Sequence, residues 1–179
     1  MMPENMLAGS KQGVVISMGK RQRLWVVLVL VLLLSCCGAP KNEYALGDTV
    51  STYWFDFAAE NVERGDTYAD YQAQEDTDLI ICYLQLKNTF DEAIPMGWMD
   101  FALVWTGGEE SGIYPLTVIS KEQLPEVYHL EIDERISGQL VFEVPETATG
   151  LYLVFQERYE ETGSEADYKE GFVYRVALD

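Results

Sequence analysis

Histidine is the scarcest functional side chain in this sequence of 179 residues, which contains only one, His129. A single histidine excludes the HExxH zinc motif and any histidine-rich metal cluster. The sequence also lacks the G-x-S-x-G motif of serine hydrolases and a glycine-rich phosphate loop. We therefore expect a protein that is not an enzyme and that needs no cofactor.

Basic residues are also few. The chain has 12 Lys and Arg against 30 Asp and Glu, which gives a net charge of -18. Such a charge repels a phosphate backbone, so nucleic acid is excluded as a partner. At this density some carboxylates must lie close together by chance, and an acidic pair in the sequence therefore does not indicate a glycosidase. The 48% of hydrophobic residues is enough to form the core of one folded domain.

Long hydrophobic runs are limited to one, at residues 24–34 (LWVVLVLVLLL), which follows the basic cluster KRQR at residues 20–23. Eleven residues are too few for a membrane-spanning helix of about 20, but they match the apolar centre of a secretory signal of about 7–15 residues. We therefore predict a cleaved signal peptide over residues 1–35. Met18 directly precedes the basic cluster and is the better start of this signal than Met1.

Cysteine is rare as well, with three residues in the chain. The segment Leu33-Leu34-Ser35-Cys36 resembles the lipobox of bacterial lipoproteins, and Cys37 fits that pattern less well. The resemblance implies that Cys36 is diacylated and becomes the first residue of the mature chain. More than one acyl chain is needed for stable anchoring, and a diacylglycerol group supplies two. We therefore expect a lipid anchor on Cys36 that holds the protein on the extracellular side of the cell membrane.

Cleavage at this point changes the charge of the protein further. It removes four basic residues and one acidic residue. The mature chain then has 8 basic and 29 acidic residues and a net charge of -21. Residues 36–45 contain Gly, Pro and polar residues, and we expect them to form the lipidated cysteine and a flexible tether. Cys82 lies in an apolar run and is expected to be a small buried hydrophobic residue.

From residue 46 to 179 short apolar runs alternate with Gly, Pro, Asn and Asp, a pattern typical of all-β proteins. In residues 78–88, for example, every second side chain is apolar. The predicted strands lie at residues 49–59, 78–88, 101–105, 113–119, 128–133, 138–144, 151–156 and 172–178, with 101–105 and 113–119 forming a hairpin. Seven or eight short strands predict an antiparallel β-sandwich, with a closed barrel as the alternative. Residues 64–77 and 158–170 are predicted to be acidic surface loops.

Several of these segments together resemble a known family. They are Gly47-Asp48-Thr49-Val50, Leu86-Lys87-Asn88-Thr89, Asp100–Val104, Gly138–Pro145 and Leu151-Tyr152-Leu153. The family is the immunoglobulin-like extracellular domain of Gram-positive lipoproteins, which is similar to mycobacterial immunoprotective secreted antigens. The resemblance covers roughly residues 44–179. It implies an immunoglobulin-like fold and a location outside the membrane, and it brings no catalytic residue.

One acidic loop suggests a metal site. Asp66, Asp70, Asp76 and Asp78 lie within 13 residues of sequence, and carboxylate oxygens are the ligands that Ca²⁺ prefers. Their spacing is not that of an EF-hand, and the alternative is a solvated loop that only adds charge. The hypothesis is a weak calcium site of an extracellular domain.

Aromatic residues between the strands are the other candidates for binding. Trp98 follows a Pro-Met-Gly segment and could stack on a sugar or a partner protein, or it could cap one end of the sandwich. Tyr68 and Tyr71 lie in the acidic loop, a composition that suits a protein-binding surface, or they could fold back onto the sheet.

The sequence as a whole predicts a membrane-anchored extracellular lipoprotein that acts as a binding or interaction module at the cell envelope. Its expected partner is an envelope protein or a wall component. Two alternatives remain open at this point. One is an accessory subunit of an envelope complex, and the other is an envelope hydrolase that uses acidic residues.

Overall fold

The structure is a computed structural model that describes residues 42–109, 111–160 and 168–179. The predicted signal peptide, the lipidation site Cys36 and most of the tether lie outside the described residues. Within these ranges, no helix is both long and apolar enough to cross a membrane.

Eight of the twelve strands in the described residues, all numbered in chain order, form two four-stranded sheets. In spatial order, sheet I consists of β1 (Glu43–Tyr44), β12 (Tyr168–Ala177), β11 (Tyr152–Glu160) and β8 (Phe101–Val104). Sheet II consists of β10 (Arg135–Pro145), β6 (Thr77–Asn88), β3 (Phe55–Gly65) and β2 (Val50–Ser51). All pairs are antiparallel except β1 with β12, which is parallel. The predicted β-sandwich is therefore confirmed, while the prediction of antiparallel pairing is wrong at this one edge.

The four remaining strands form two small ribbons. A hairpin joins β4 (Thr67–Tyr68) to β5 (Tyr71–Gln72), and a second ribbon pairs β7 (Ile94–Gly97) with β9 (Val127–Leu130). A single 3-10 turn at Trp98–Asp100 connects β7 to β8.

The two sheets pack against each other through phenylalanine side chains. Phe55 and Phe57 of β3 contact Phe101 of β8 and Phe155 of β11, with ring centroids between 4.9 and 6.5 Å apart. These rings meet edge-on or tilted, as the quadrupoles of aromatic rings favour. The predicted core face of β6 is confirmed, because its alternate apolar residues are buried at Ile80, Cys82, Leu84 and Leu86. Burial raises the pKa of the Cys82 thiol to about 12.

The segment predicted as one strand at residues 49–59 is instead two strands that fold back on each other. The Thr52 hydroxyl accepts hydrogen bonds from the Trp54 and Phe55 amides and donates one to the Phe55 carbonyl. A threonine side chain that bonds its neighbouring backbone in this way competes with a continuous ladder. The result is a tight turn that pairs Val50 with Phe57.

The predicted hairpin with residues 113–119 is wrong. Only Ile113 bridges to β8, at Leu103, and the chain then leaves sheet I. Gly112 has a positive φ of 67°, and Pro115 has no amide proton to donate to a ladder. Leu116 donates its amide to the Val141 carbonyl of β10 instead.

Both segments predicted as acidic loops contain strand residues where the structure describes them. Residues 64–77 contain the β4–β5 hairpin, which folds over the outer face of sheet II. There it covers Leu79, Ile81 and Val141, which form a second buried cluster. In residues 158–170, β11 continues to Glu160 and β12 begins at Tyr168.

Glu143 of β10 fixes this hairpin, and its contribution should depend on pH. Its carboxylate accepts hydrogen bonds of 2.6 Å from the Tyr71 hydroxyl, the Thr77 hydroxyl and the Gln74 amide. Burial alone would raise the pKa of Glu143, but these hydrogen bonds outweigh it and hold the pKa below its usual value. A lowered folded-state pKa stabilises the fold above the unfolded pKa of about 4.3, and this stabilisation is lost as the pH falls through the folded-state pKa.

Glu143→Gln is therefore expected to lower the free energy of unfolding by about 1 kcal/mol at neutral pH. The difference from the wild-type protein should shrink as the pH falls below about 4. Urea denaturation at neutral and acidic pH measures both values, with Glu146→Gln, at an exposed neighbouring position, as the control. An equal loss at both pH values would contradict this role of the carboxylate.

Candidate binding cleft

The two tyrosines predicted to bind a partner serve the fold instead. Tyr68 and Tyr71 are half-buried and pack on the cluster formed by Leu79, Ile81 and Val141. The Tyr68 hydroxyl donates a hydrogen bond to Gln139, and the Tyr71 hydroxyl donates one to Glu143. The hydrogen bond to Glu143 also raises the pKa of Tyr71. Both side chains thus attach the hairpin to sheet II.

The four aspartates of the calcium hypothesis do not come together. Asp78 forms an ion pair with Arg64, with 2.8 Å between Oδ2 and Nε. Asp66, Asp70 and Asp76 are exposed, and Asp76 occupies a left-handed turn with a φ of 62°. In the described parts of the chain, no three His, Cys, Asp or Glu side chains are placed to hold a metal ion. The four aspartates therefore do not form the predicted calcium site.

Trp98 packs against the core rather than facing a partner. It is half-buried in the 3-10 turn, and its amide lies 3.3 Å from the Glu126 carbonyl that accepts its hydrogen bond. The Asp100 carboxylate accepts a hydrogen bond of 2.7 Å from the Gly97 amide and closes the turn. This geometry agrees with the alternative in which Trp98 caps one end of the sandwich.

A cleft of about 680 Å³ lies beside this turn, on the outer face of sheet I. Outward-facing side chains of three strands line it, namely Ala102, Val104, Val154, Gln156, Val173 and Arg175. The rest of the lining includes Trp54, Ile94, Pro95, Met96, Met99, Asp100, Ser111 and Tyr114. Most of this lining is apolar or aromatic, and Asp100 and Arg175 are its charged members.

An apolar outer face is unusual for an antiparallel sheet, which normally presents polar residues to water. In sheet II, by contrast, the apolar patch on the outer face is covered by the β4–β5 hairpin. On sheet I, Val104 and Val154 are only half-buried and line the cleft, and the chain at Gly112 lies against the Val104 side chain. Met99 on the rim of the cleft is 50% exposed. The cleft is therefore a candidate ligand site among the described residues.

Aromatic rings form one end of the cleft. Trp54 meets both Tyr53 and Phe90 edge-on, with centroid distances of 4.8 Å in each case. Glu157, only 1% exposed, accepts hydrogen bonds from the Tyr53 amide at 2.7 Å and from the Tyr174 hydroxyl at 3.0 Å. This buried carboxylate joins the turn that carries Trp54 to sheet I and so positions the aromatic end.

Tyr128 of β9, which lies opposite Met96 in the strand register, allows a test of how the β7–β9 ribbon is packed. Its hydroxyl is buried and has no hydrogen-bond partner among the described residues, and burial raises its pKa. Tyr128→Phe removes an unsatisfied polar atom, so we expect an unchanged free energy of unfolding or a gain of up to about 1 kcal/mol. Tyr71→Phe, which loses the bond to Glu143, should instead cost about 1 kcal/mol. A loss at Tyr128 as large as at Tyr71, in the same denaturation measurement, would contradict this packing.

Comparison with known proteins supports the fold. No protein-family model and no curated protein matches the chain. The ycdA protein of Bacillus subtilis, a candidate lipoprotein, is 16% identical with a TM-score of 0.50, over 73% of this chain and 38% of that one. The yjhA protein of Bacillus subtilis is 18% identical with a TM-score of 0.57, over 76% of this chain and 99% of that one.

This chain thus spans 38% of the length of the ycdA protein and nearly all of the yjhA protein. Identities this low show a common architecture and leave function to the chain's own residues. The chain has the β-sandwich fold, and its similarity to these two Bacillus proteins is a similarity of fold.

Proposed function

We propose that this protein is a lipid-anchored binding module of the cell envelope and that the cleft on sheet I is its binding site. The observation that carries this proposal is the apolar lining of the cleft, on the outer face of a sheet whose counterpart is covered by the chain itself. Interfaces are enriched in aromatic residues and methionine, and the exposed side chains of Met99 and Tyr114 supply these here. In this proposal the sandwich is an immunoglobulin-like extracellular domain.

The proposed anchor is the diacylated Cys36. Asn42, where the described residues begin, follows Cys36 by six positions. A chain spans at most about 3.3–3.6 Å per residue, so this tether keeps the domain within about 20 Å of the bilayer. A candidate lipoprotein of similar fold, the ycdA protein, supports this location outside the membrane.

The same cleft gives little support to the hydrolase alternative. Among the described residues, Asp100 is the only carboxylate that lines it, and that carboxylate accepts a hydrogen bond from the Gly97 amide. Glycoside hydrolysis needs two carboxyl groups about 5–9.5 Å apart across the bond that is cleaved. We therefore propose a non-enzymatic role, either as an independent binding protein or as an accessory subunit of an envelope complex.

Chemical crosslinking in intact cells tests this proposal. The full-length protein, with a tag at its C-terminus, is expected to recover one reproducible envelope protein or wall component. Val154→Lys places a charge on the floor of the cleft and should abolish this recovery. Ser137→Lys, at an exposed position on β10 of sheet II, is the matched control and should leave it unchanged. Recovery that is the same for both variants would contradict a site on sheet I.

A further inference from the structure

We infer that the ligand of the cleft is a cationic segment of a partner polypeptide, in which apolar side chains are flanked by Lys or Arg. This inference rests on the proposed function, since it specifies the partner of the same cleft. It requires that the surroundings of the cleft be acidic, that the lining accept several apolar side chains, and that other envelope ligands fit less well.

The charge around the cleft meets the first requirement. Asp91 and Glu92 are exposed and directly precede β7, which lines the cleft. Asp100 is part of the lining, and Glu43 of β1 lies opposite Arg175 in the strand register. The one cation of the lining therefore has an acidic neighbour on the adjacent strand.

Three other cations with described side chains belong to sheet II. Lys87 and Arg135 are partners in the register of β6 and β10. Arg64 of β3 is held by Asp78 and by the carbonyls that follow β10. These three cations do not offset Asp100 or the acidic residues that precede β7, and the negative net charge of the chain attracts an approaching cationic segment.

The lining meets the second requirement. The flexible thioether of Met99, which is 50% exposed, adapts to side chains of different shape, which is why methionine is common on surfaces that bind peptides. Tyr114, also about half exposed, adds an aromatic ring to the lining that suits an apolar side chain or a guanidinium group. A volume of about 680 Å³ has room for more than one side chain of a bound segment.

The third requirement follows from charge. An acidic domain repels anionic lipid headgroups, anionic wall polymers and nucleic acid. A neutral sugar could hydrogen-bond to the polar lining residues, but it would leave the floor formed by Ala102, Val104, Val154 and Val173 unused, because these side chains donate and accept no hydrogen bonds. A segment that is both cationic and apolar is attracted by the negative charge around the cleft and fits its apolar lining.

The test uses the full-length lipidated protein in detergent micelles and two short fluorescent peptides. In the first peptide Lys alternates with Val and Thr, and in the second Glu replaces every Lys. We expect the Lys peptide to bind and the Glu peptide not to bind, by fluorescence anisotropy. Val154→Lys should weaken binding by about tenfold or more, Ser137→Lys should not, and added salt should weaken binding by screening.

Equal binding of the two peptides, no binding of either, or an unchanged affinity in Val154→Lys would overturn the inference. Its failure is distinguishable from failure of the proposed function. If neither peptide binds but crosslinking in cells still depends on Val154, the cleft is a binding site for a partner of other chemistry. If crosslinking does not depend on Val154 either, both fail.

Discussion

Replacement of Phe57 by alanine is expected to lower the free energy of unfolding by about 3–5 kcal/mol. Phe57 is 1% exposed and its ring lies 5.3 Å from Phe101 and 5.9 Å from Phe155, so it joins the two sheets. Its truncation removes buried apolar surface and leaves a cavity that close-packed strands fill only in part. Urea denaturation of the purified variant measures the loss.

Phe172 provides the matched control for this experiment. It is the same residue type on β12, but it is 52% exposed. We expect Phe172→Ala to cost less than about 1 kcal/mol, because most of its surface is already in water. A Phe57→Ala variant no less stable than Phe172→Ala would mean that the two sheets do not pack as described.

Replacement of Cys36 by leucine is expected to release the protein from the membrane fraction or to stall its processing. The substitution removes the thiol that accepts the diacylglycerol group, and a leucine directly before Cys37 does not supply the small residue that a lipobox ending at Cys37 would need. Fractionation of cells and the mass of the mature chain measure the result. Cys37→Ala is the control and should leave attachment intact, because Cys37 fits the lipobox less well.

The outcome that would contradict this prediction is specific. Normal processing together with unchanged membrane retention in Cys36→Leu would exclude a lipid anchor at this residue. The apolar run at residues 24–34 would then have to hold the protein in the membrane as a helix. The β-sandwich would be unaffected by that result, because it is formed by residues further along the chain.

Much of the fold follows from patterns that the sequence makes visible. In β6, apolar residues at every second position predict a strand with one buried face, and the structure buries Ile80, Cys82, Leu84 and Leu86. The turn at Thr52 is missed because the residues around it are all good strand formers. A threonine side chain that bonds to the Trp54 and Phe55 amides decides the conformation there, and propensity does not reveal such a bond.

The path of residues 113–119 is missed for a different reason. Their apolar content reads as a strand beside β8, but Gly112 adopts a left-handed conformation and Pro115 cannot donate a hydrogen bond. Leu116 then reaches the outer face of sheet II, where it covers Val141. Such a crossing from one sheet to the other depends on contacts far apart in sequence.

The strand patterns contain a signal for the cleft that the sequence analysis does not single out. In β8 and β11 the residues between the buried ones, Ala102, Val104 and Val154, are apolar too. A strand that is apolar on both faces is usually buried on both faces by other parts of a protein or by a partner. The aromatic residues predicted to bind a partner are instead Trp98, Tyr68 and Tyr71. The structure places their side chains against the sandwich itself.

The protection of the cleft in living cells is the most direct measurement of the proposed function. A cysteine is introduced at Val154 or, as the control, at Ser137, in a protein with Cys37 replaced by serine. Cys82 gives little background, because it is buried and burial raises its pKa to about 12. Labelling by a hydrophilic thiol reagent is then compared between intact cells and purified protein. We predict that the cysteine at position 154 is protected in cells and labelled after purification, while the one at position 137 is labelled equally in both. Equal labelling of position 154 in both would contradict the account, because the cleft would then be empty in the native envelope.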